Sequence, residues 1–329
     1  MYSRRQSTPF ISVVVPVYNE SLVIEHTYQR LRSVLEQLST LYEVIFVNDG
    51  SQDDTQAKLL RLVHLQPEVK VVELSRNFGH QIAVTAGIEH AQGDVVVLID
   101  ADLQDPPELI AQFLDKWRQG YDVVYAVRVQ REGESWFKRW SAGRFYRFLN
   151  RATDVQIPLD TGDFRLMNRN VVDSLLAMHE RHRFIRGLVS WVGFEQIGIP
   201  YVRAERVAGV SKYPLRKMVR FAVDGVTSFS HRPLQWASKL GFSSSILGFV
   251  GILAILYMKL FTHSVVRGWT SLMVVVLFLG GVQLLVLGIL GEYIGRIYDE
   301  VRARPLYFVK GLYNFKHGSE TSRDDRERE

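Results

Sequence analysis

No cysteine occurs in the 329 residues, so disulfides, thiolate zinc sites and cysteine nucleophiles are excluded. Any metal has to sit on oxygen or histidine. The glycine signatures of two nucleotide loops are missing as well: the chain holds neither G-x-G-x-x-G nor G-x-x-x-x-G-K-[ST], which removes that dinucleotide fold and the P-loop. Low-complexity tracts are absent too. With 47% hydrophobic and 23% charged residues the composition is that of a folded chain, and the length sets a prior of about two structural units.

What is present is unevenly distributed. The net charge is +5, from 40 basic and 35 acidic residues, yet residues 201–240 alone hold eight Lys/Arg against two Asp/Glu. Beyond that basic block the chain turns apolar: Gly241 to Met258 is 18 residues without a charge, and Gly268 to Gly291 is 24. Runs of that length at 1.5 Å per residue suit a hydrocarbon core of about 30 Å, so two membrane spans are expected, at 240–261 and 268–291. Glycines 248, 251, 280, 281 and 288 suit close helix packing in lipid, which permits a homo-oligomer. Lys/Arg are dense before the first run and after the second, and only Lys259 and Arg267 lie between, so the positive-inside rule places both termini in the cytoplasm. No signal peptide is expected, since the first apolar run is a short strand interrupted by Pro16. Just before the spans, Leu215, Met218, Val219, Ala222, Val223, Val226 and Phe229 recur at helical spacing with cations on other faces, the pattern of a helix lying in the membrane surface. From Gly318 onward the chain is polar and reads as a disordered tail.

The first 200 residues alternate strand and helix signals. Ile11–Val15, Glu43–Val47, Val69–Leu74, Val95–Ile99 and Val123–Val127 are apolar, β-branched runs; Leu22–Leu38, Thr55–Leu65, Gln81–His90 and Pro107–Arg118 carry helical periodicity between them. A mostly parallel sheet covered by helices follows, with ligands expected at the carboxyl ends of its strands. Polar residues gather at those ends: Tyr18 and Glu20, Asp49 and Ser51, Arg76 and Asn77, Asp100 and Asp102, Arg128.

Asp100-Ala101-Asp102 is the sharpest of these. Two carboxylates two residues apart, at the end of the buried run Val95–Ile99, can direct one oxygen to a ribose hydroxyl and another to a divalent cation bridging two phosphates; hard oxygen donors suit magnesium or manganese. His80, His179 and His182 lack partner motifs and read as structural or surface groups. The aromatic and basic stretch around Trp136 to Phe148, beside a membrane segment, reads as an interfacial anchor and not as a nucleic-acid surface.

Four segments together carry a resemblance: Ser12 to Glu20 (SVVVPVYNE), Val47 to Ser51 (VNDGS), Asp100 to Glu108 (DADLQDPPE) and Gly162 to Met167 (GDFRLM). The chain resembles the family-two glycosyltransferases of GT-A fold. More narrowly, with its two apolar runs, it is similar to the polyprenyl-phosphate glycosyltransferases, the group of bactoprenol glucosyltransferase and dolichyl-phosphate mannose synthase. The resemblance implies a Rossmann-like GT-A domain at 1–205, a basic loop and interfacial helices at 206–239, the two spans, and a cytoplasmic tail at 292–329. It implies that Pro16, Tyr18, Glu20 and Asp49 hold the base or ribose of a UDP-sugar, that Asp100 and Ala101 help bind the nucleotide, and that Asp102 ligates Mg2+ or Mn2+. Asp163 falls where the family places its catalytic carboxylate, as a general base or as a group that orients acceptor or sugar. Arg128, Arg139, Arg206, Ser211 and Lys212 fall where related enzymes grip an acceptor phosphate.

The expected activity is metal-dependent, inverting transfer of one sugar, glucose from UDP-glucose, to undecaprenyl phosphate on the cytoplasmic leaflet of a bacterial plasma membrane. A separate flippase and a downstream glycosyltransferase would then use the product. The rivals are transfer of another sugar (mannose, N-acetylglucosamine, aminoarabinose), a processive polysaccharide synthase, disfavoured because Gln-x-x-Arg-Trp is missing, and a silent membrane scaffold, disfavoured by three intact carboxylates.

Overall fold

The computed structural model describes residues 8–38, 41–129, 161–202, 232–261 and 268–315. Arg139, Arg206, Ser211 and Lys212, the interfacial helix, the aromatic stretch 136–148 and the polar end of the chain lie outside them.

The amino-terminal half follows its hydrophobic rhythm. Strands β1 (Ile11–Val17), β2 (Tyr42–Asn48), β3 (Val69–Leu74), β4 (Val95–Leu98) and β5 (Val123–Arg128) alternate with helices α1 (Ile24–Gln37), α2 (Thr55–Leu65), α3 (His80–His90) and α4 (Leu109–Arg118). Next come β6 (Thr161–Asn168), α5 (Arg169–Leu176), α6 (Ile185–Trp191) and β7 (Gln196–Tyr201), then two long helices, α7 (Arg232–Phe261) and α8 (Trp269–Arg302), and β8 (Val309–Tyr313).

The eight strands among the described residues form one sheet in the order β7-β5-β6-β4-β1-β2-β3-β8. Its centre is parallel, as expected, but the sheet as a whole is mixed: β6 runs antiparallel to both β4 and β5, and β8 antiparallel to β3. Six of the eight strands run the same way, so the mostly parallel expectation holds, with β6 and β8 as its two exceptions. β8 also comes from the stretch that sequence alone reads as tail.

Every residue of β1 is buried, and successive residues serve opposite faces. Val13 and Val15 pack with α1, α2 and α4 on one side, around Leu31, Leu59 and Phe113; Val14 packs with α3, α5 and α6 on the other, around Ala86, Val171 and Leu188. A period of two in the strand therefore builds two cores. Helix α3 lies very close to the sheet. A Cβ on Gly87 would stand 2.2 Å from Val14 Cγ1 and 2.9 Å from Val47 Cγ2, so only glycine permits that approach. The approach fixes where α3 begins, and hence where His80 stands.

Helix α8 has 34 residues and is about 51 Å long at 1.5 Å per residue. Among the described residues one helical segment, Val274–Arg302, contains a window long and apolar enough to cross a membrane, with a mean hydropathy of 2.6 and none of it buried. The expected first span falls in α7, where Phe242, Leu247 and Phe249 are exposed. Beyond α8 the chain turns at Ala303 (φ +47°) and returns to the sheet as β8. There the nearly buried Glu73 receives Lys310 Nζ at 2.6 Å and the Tyr313 hydroxyl at 2.8 Å.

Candidate active site

The first cluster lies where β1 and β2 end. Asn48 accepts the Ser51 amide at 2.9 Å, and the Asp49 amide donates to Val17 C=O at 3.0 Å, which sets the turn after β2 beside the end of β1. Asn19, at φ +56°, donates its amide to Ser51 Oγ (3.0 Å) and accepts the Gln52 amide (2.8 Å); the Glu20 amide donates to Thr55 Oγ1 (3.0 Å). Pro16 is buried in β1, while Tyr18 is 43% exposed at the strand's mouth. Asp49 is 3% exposed and holds the loop before α3: its two oxygens accept the Phe78 and Gly79 amides at 2.7 and 2.9 Å. Burial pushes its carboxyl up, and those two amide bonds oppose the shift.

The second cluster is built by register. Leu98 of β4 pairs with Arg165 of antiparallel β6, so two residues further on Asp100 and Asp163 face the same space. His80, at the start of α3, sits between them, with Nε2 3.0 Å from Asp163 Oδ2 and 3.7 Å from Asp100 Oδ1. Arg186 of α6 closes the other side in a forked contact, Nε to Asp163 Oδ1 at 2.7 Å and Nη2 to Oδ2 at 3.2 Å, while its Nη1 donates to Thr161 C=O at 2.9 Å. Gln81 adds a contact at 3.5 Å to Asp163 Oδ2 and accepts the Ile185 amide at 2.9 Å, tying α3 to α6.

This packing separates the two carboxyls electrically. Burial works against ionisation of Asp163, but the His80 hydrogen bond and the Arg186 charge outweigh it and hold the carboxyl well below the usual range. Asp100 is pushed up to about 6, by burial first, with His80 pulling down and Asp163, Asp105 and Asp102 pushing up. Burial alone would lower His80; the hydrogen bond to Asp163 and the charge of Asp100 raise it.

The remaining expected residues lie close by. Ala101 is buried and its C=O accepts the Thr27 hydroxyl at 2.8 Å, which anchors the turn; Asp102, partly exposed, accepts the Gln104 amide on Oδ1 at 3.1 Å. Arg128, at the end of β5, donates from Nε to the Tyr201 hydroxyl at 3.2 Å, and that hydroxyl donates to Asp105. A Cβ on Gly162 would stand 2.8 Å from Arg128 Nη2, so glycine there lets the guanidinium lie against the strand that carries Asp163. Asp100, Asp102, Asp163 and Arg128 are thus gathered at one end of the sheet.

Two members of this cluster escape sequence reasoning. His80 is corrected from a structural or surface group to the bridge between Asp163 and Asp100; its place directly after the polar end of β3 was the available signal. Arg186 had none, since it stands on a seven-residue helix and its partner Asp163 lies on another element. His182 pairs with Asp299 of α8, Nε2 to Oδ2 at 3.3 Å.

Comparison with known proteins agrees with this geometry. Residues 12–176 match the glycosyl transferase family 2 profile. The chain is 55% identical over 306 residues to the uncharacterized glycosyltransferase YkcC of Bacillus subtilis, covering 93% of this chain and 95% of that one. It is 44% identical to the bactoprenol glucosyl transferase of Shigella phage SfV, covering 91% and 98%. Among solved structures, a mannosyltransferase from Pyrobaculum calidifontis in complex with GDP-Man and Mn2+ is 18% identical, covers 87% of each chain and gives a TM-score of 0.45, a likeness that bears on neither substrate nor metal here. The family profile over residues 12–176 and the two relatives, with a mixed sheet carrying carboxylates at its strand ends, lead to one conclusion: the chain belongs to glycosyl transferase family 2.

Proposed function

We propose that this chain transfers a single glucose from UDP-glucose to a polyprenyl phosphate at the cytoplasmic face of a bacterial plasma membrane, with inversion and with a divalent cation. The observation that carries the reading is the convergence of Asp100, Asp102, Asp163 and Arg128 at one end of the sheet, in a chain with an exposed apolar helix and with relatives named bactoprenol glucosyl transferase.

The chemistry suits this arrangement. Transfer forms a bond from an acceptor phosphate oxygen to the anomeric carbon and breaks the bond from that carbon to the donor's diphosphate. A phosphate with a second pKa of about 6 is already mostly dianionic at neutral pH, so little proton removal is needed. Asp163, held ionised by His80 and Arg186, is a weak proton acceptor; its role is to orient those two groups and the sugar between them. Arg128, with Arg139, Arg206, Ser211 and Lys212, receives the acceptor phosphate. Tyr18, Glu20 and Asp49 with Pro16 bound the base and ribose.

The donor set fits magnesium or manganese. Asp102 offers hard oxygens to the ion beside Asp100 at the nucleotide, and substrate phosphates and water would supply the remaining donors. When bound there, such an ion stabilises charge on the leaving diphosphate. In this reading α7 and α8 both span the bilayer with the termini in the cytoplasm, the glycine faces of the spans permit self-association, and a flippase and a further transferase act on the product.

Membranes containing the protein, radiolabelled UDP-glucose, undecaprenyl phosphate and magnesium or manganese test it. The expected result is label extracted into organic solvent that depends on metal and vanishes in Asp102→Asn. Label only from another nucleotide sugar changes the sugar and keeps the mechanism; no label from any donor favours the scaffold. Full activity of Asp102→Asn removes the metal assignment.

A further inference from the structure

A second cationic site stands apart from the carboxylates. A cleft of about 600 Å³ opens between the loop before α3, the loop after α5, the end of α8 and the strap leading into β8. Its charged walls are Arg76, Arg181, His182, Arg302 and Arg304 against a single carboxylate, Asp299. Asp299 is engaged by His182 at 3.3 Å. The guanidiniums find other company: Arg76 lies 4.0 Å over the Phe78 ring and donates to Asn77 C=O, Arg181 donates to Arg304 C=O, and Arg302 lies 5.2 Å from the Tyr298 ring. None of the four is ion-paired with a carboxylate among the described residues. Four guanidiniums held together against one lining carboxylate, which His182 already engages, repel one another, and an anion in the cleft would relieve that.

The backbone is shaped to hold the arrangement. Ala303 adopts φ +47°, a left-handed conformation that is unfavourable for a non-glycine residue, and this turn brings Arg304 back toward the cleft. The Arg181 amide donates to Glu300 Oε1 at 2.8 Å, and the Ser75 amide to Phe308 C=O at 2.9 Å, so both flanking loops are fastened to the arm.

We propose that this cleft is a second anion site, which takes a water-soluble molecule bearing a phosphate or diphosphate group. Forked guanidiniums match phosphate oxygens. The choice of a soluble source over a lipid headgroup rests on α8 being a membrane span: its uncharged run ends at Gly291, and Arg302 is eleven residues, or about 16 Å, further on, whereas headgroups reach only about 5–8 Å past the hydrocarbon. An anion there would bind beside the loop that carries His80, whose Phe78 and Gly79 amides also hold Asp49.

The test is equilibrium binding of radiolabelled inorganic pyrophosphate to the full chain in phosphatidylcholine nanodiscs, with EDTA present so that metal-assisted binding at Asp100 and Asp102 is suppressed. The expected result is saturable binding of one pyrophosphate per chain, weakened at least tenfold in R302A/R304A, largely retained in R302K/R304K and unchanged in Asp102→Asn. Thermal melting of R302A/R304A establishes that it folds. Absence of saturable binding overturns the proposal, as does binding that Asp102→Asn abolishes and R302A/R304A leaves intact. In a second arm the discs contain phosphatidylglycerol: displacement of pyrophosphate by that lipid overturns the soluble source and assigns the cleft to headgroups. Binding is read without turnover, so failure of the transferase reading and failure of this one are separable.

Discussion

Asp163 and Glu73 are both nearly buried carboxylates answered by a cation and a hydrogen-bond donor, yet they sit in different parts of the sheet and do different work. Asp163 is 8% exposed and its partners, His80 and Arg186, come from two helices more than a hundred residues apart in sequence. Glu73 is 9% exposed on β3, and its partners Lys310 and Tyr313 lie on the neighbouring edge strand β8, Lys310 being 65% exposed. The first arrangement holds charge in a fixed place at the strand ends, where field strength and orientation matter. The second fastens an arm, where water screens the cation and strand pairing does most of the holding. Similar chemistry becomes a site in one place and a clasp in the other because of what surrounds it.

The largest effect is expected at Asp163. Asp163→Ala leaves Arg186 and the fully desolvated Arg165 facing each other without their shared counter-charge, and removing one partner of a buried pair costs about 3–5 kcal/mol, the lower end applying because Arg186 keeps 27% exposure. Thermal unfolding should register that loss, and transfer to lipid should disappear. A variant that melts like the parent would show that the Arg186 fork contributes nothing to the fold.

What could be read in the sequence divides along the same line. Strands β1 to β5 and their helices announce themselves through local periodicity, and the turn chemistry of Asn48 to Ser51 and Asp100 to Asp102 is local as well. The bridge of His80 and the fork of Arg186 were not legible, because they depend on the register between β4 and β6 and on the placing of α6. β8 was hidden for a related reason: Val309–Tyr313 has no core of its own and becomes a strand only against β3. The two apolar runs were plain in composition, whereas the mixed direction of the sheet was not.

A smaller effect is expected where His80 is aimed. Gly87→Ala places a Cβ against Val14 and Val47, and overpacking of that kind costs about 1–3 kcal/mol. The displaced α3 should lower the rate of transfer more than it raises the apparent KM for donor, since it shifts His80 and leaves the β1 and β2 ends in place. A change confined to KM would mean that the start of α3 serves nucleotide binding.

pH sharpens the contrast further. The native pKa of His80 is raised above its ordinary 6.5, so its contribution to stability is complete below about 6.5 and is lost as pH rises through the native value; that of Asp163, held low, is present above about 3.8 and lost as pH falls below it. Melting temperature of the metal-free protein should therefore fall from pH 6 to pH 9 by an amount that His80→Gln removes. If the variant and the parent decline in parallel, the His80 contact with Asp163 is not what titrates.

The smallest effect belongs to the clasp. Tyr313→Phe deletes one hydroxyl from Glu73, which keeps Lys310 and the Gln56 amide at 3.1 Å, so the loss should be about 1 kcal/mol or less. The strand pairing of β8 with β3 remains, and with it the link from α8 to the sheet. Hydrogen exchange at the Leu312 amide would therefore quicken modestly while amides in β4 and β6 stay protected as before. Equal quickening in β8 and in β4 and β6 would mean that the arm and the active site open as one unit, and the distinction between site and clasp would fail.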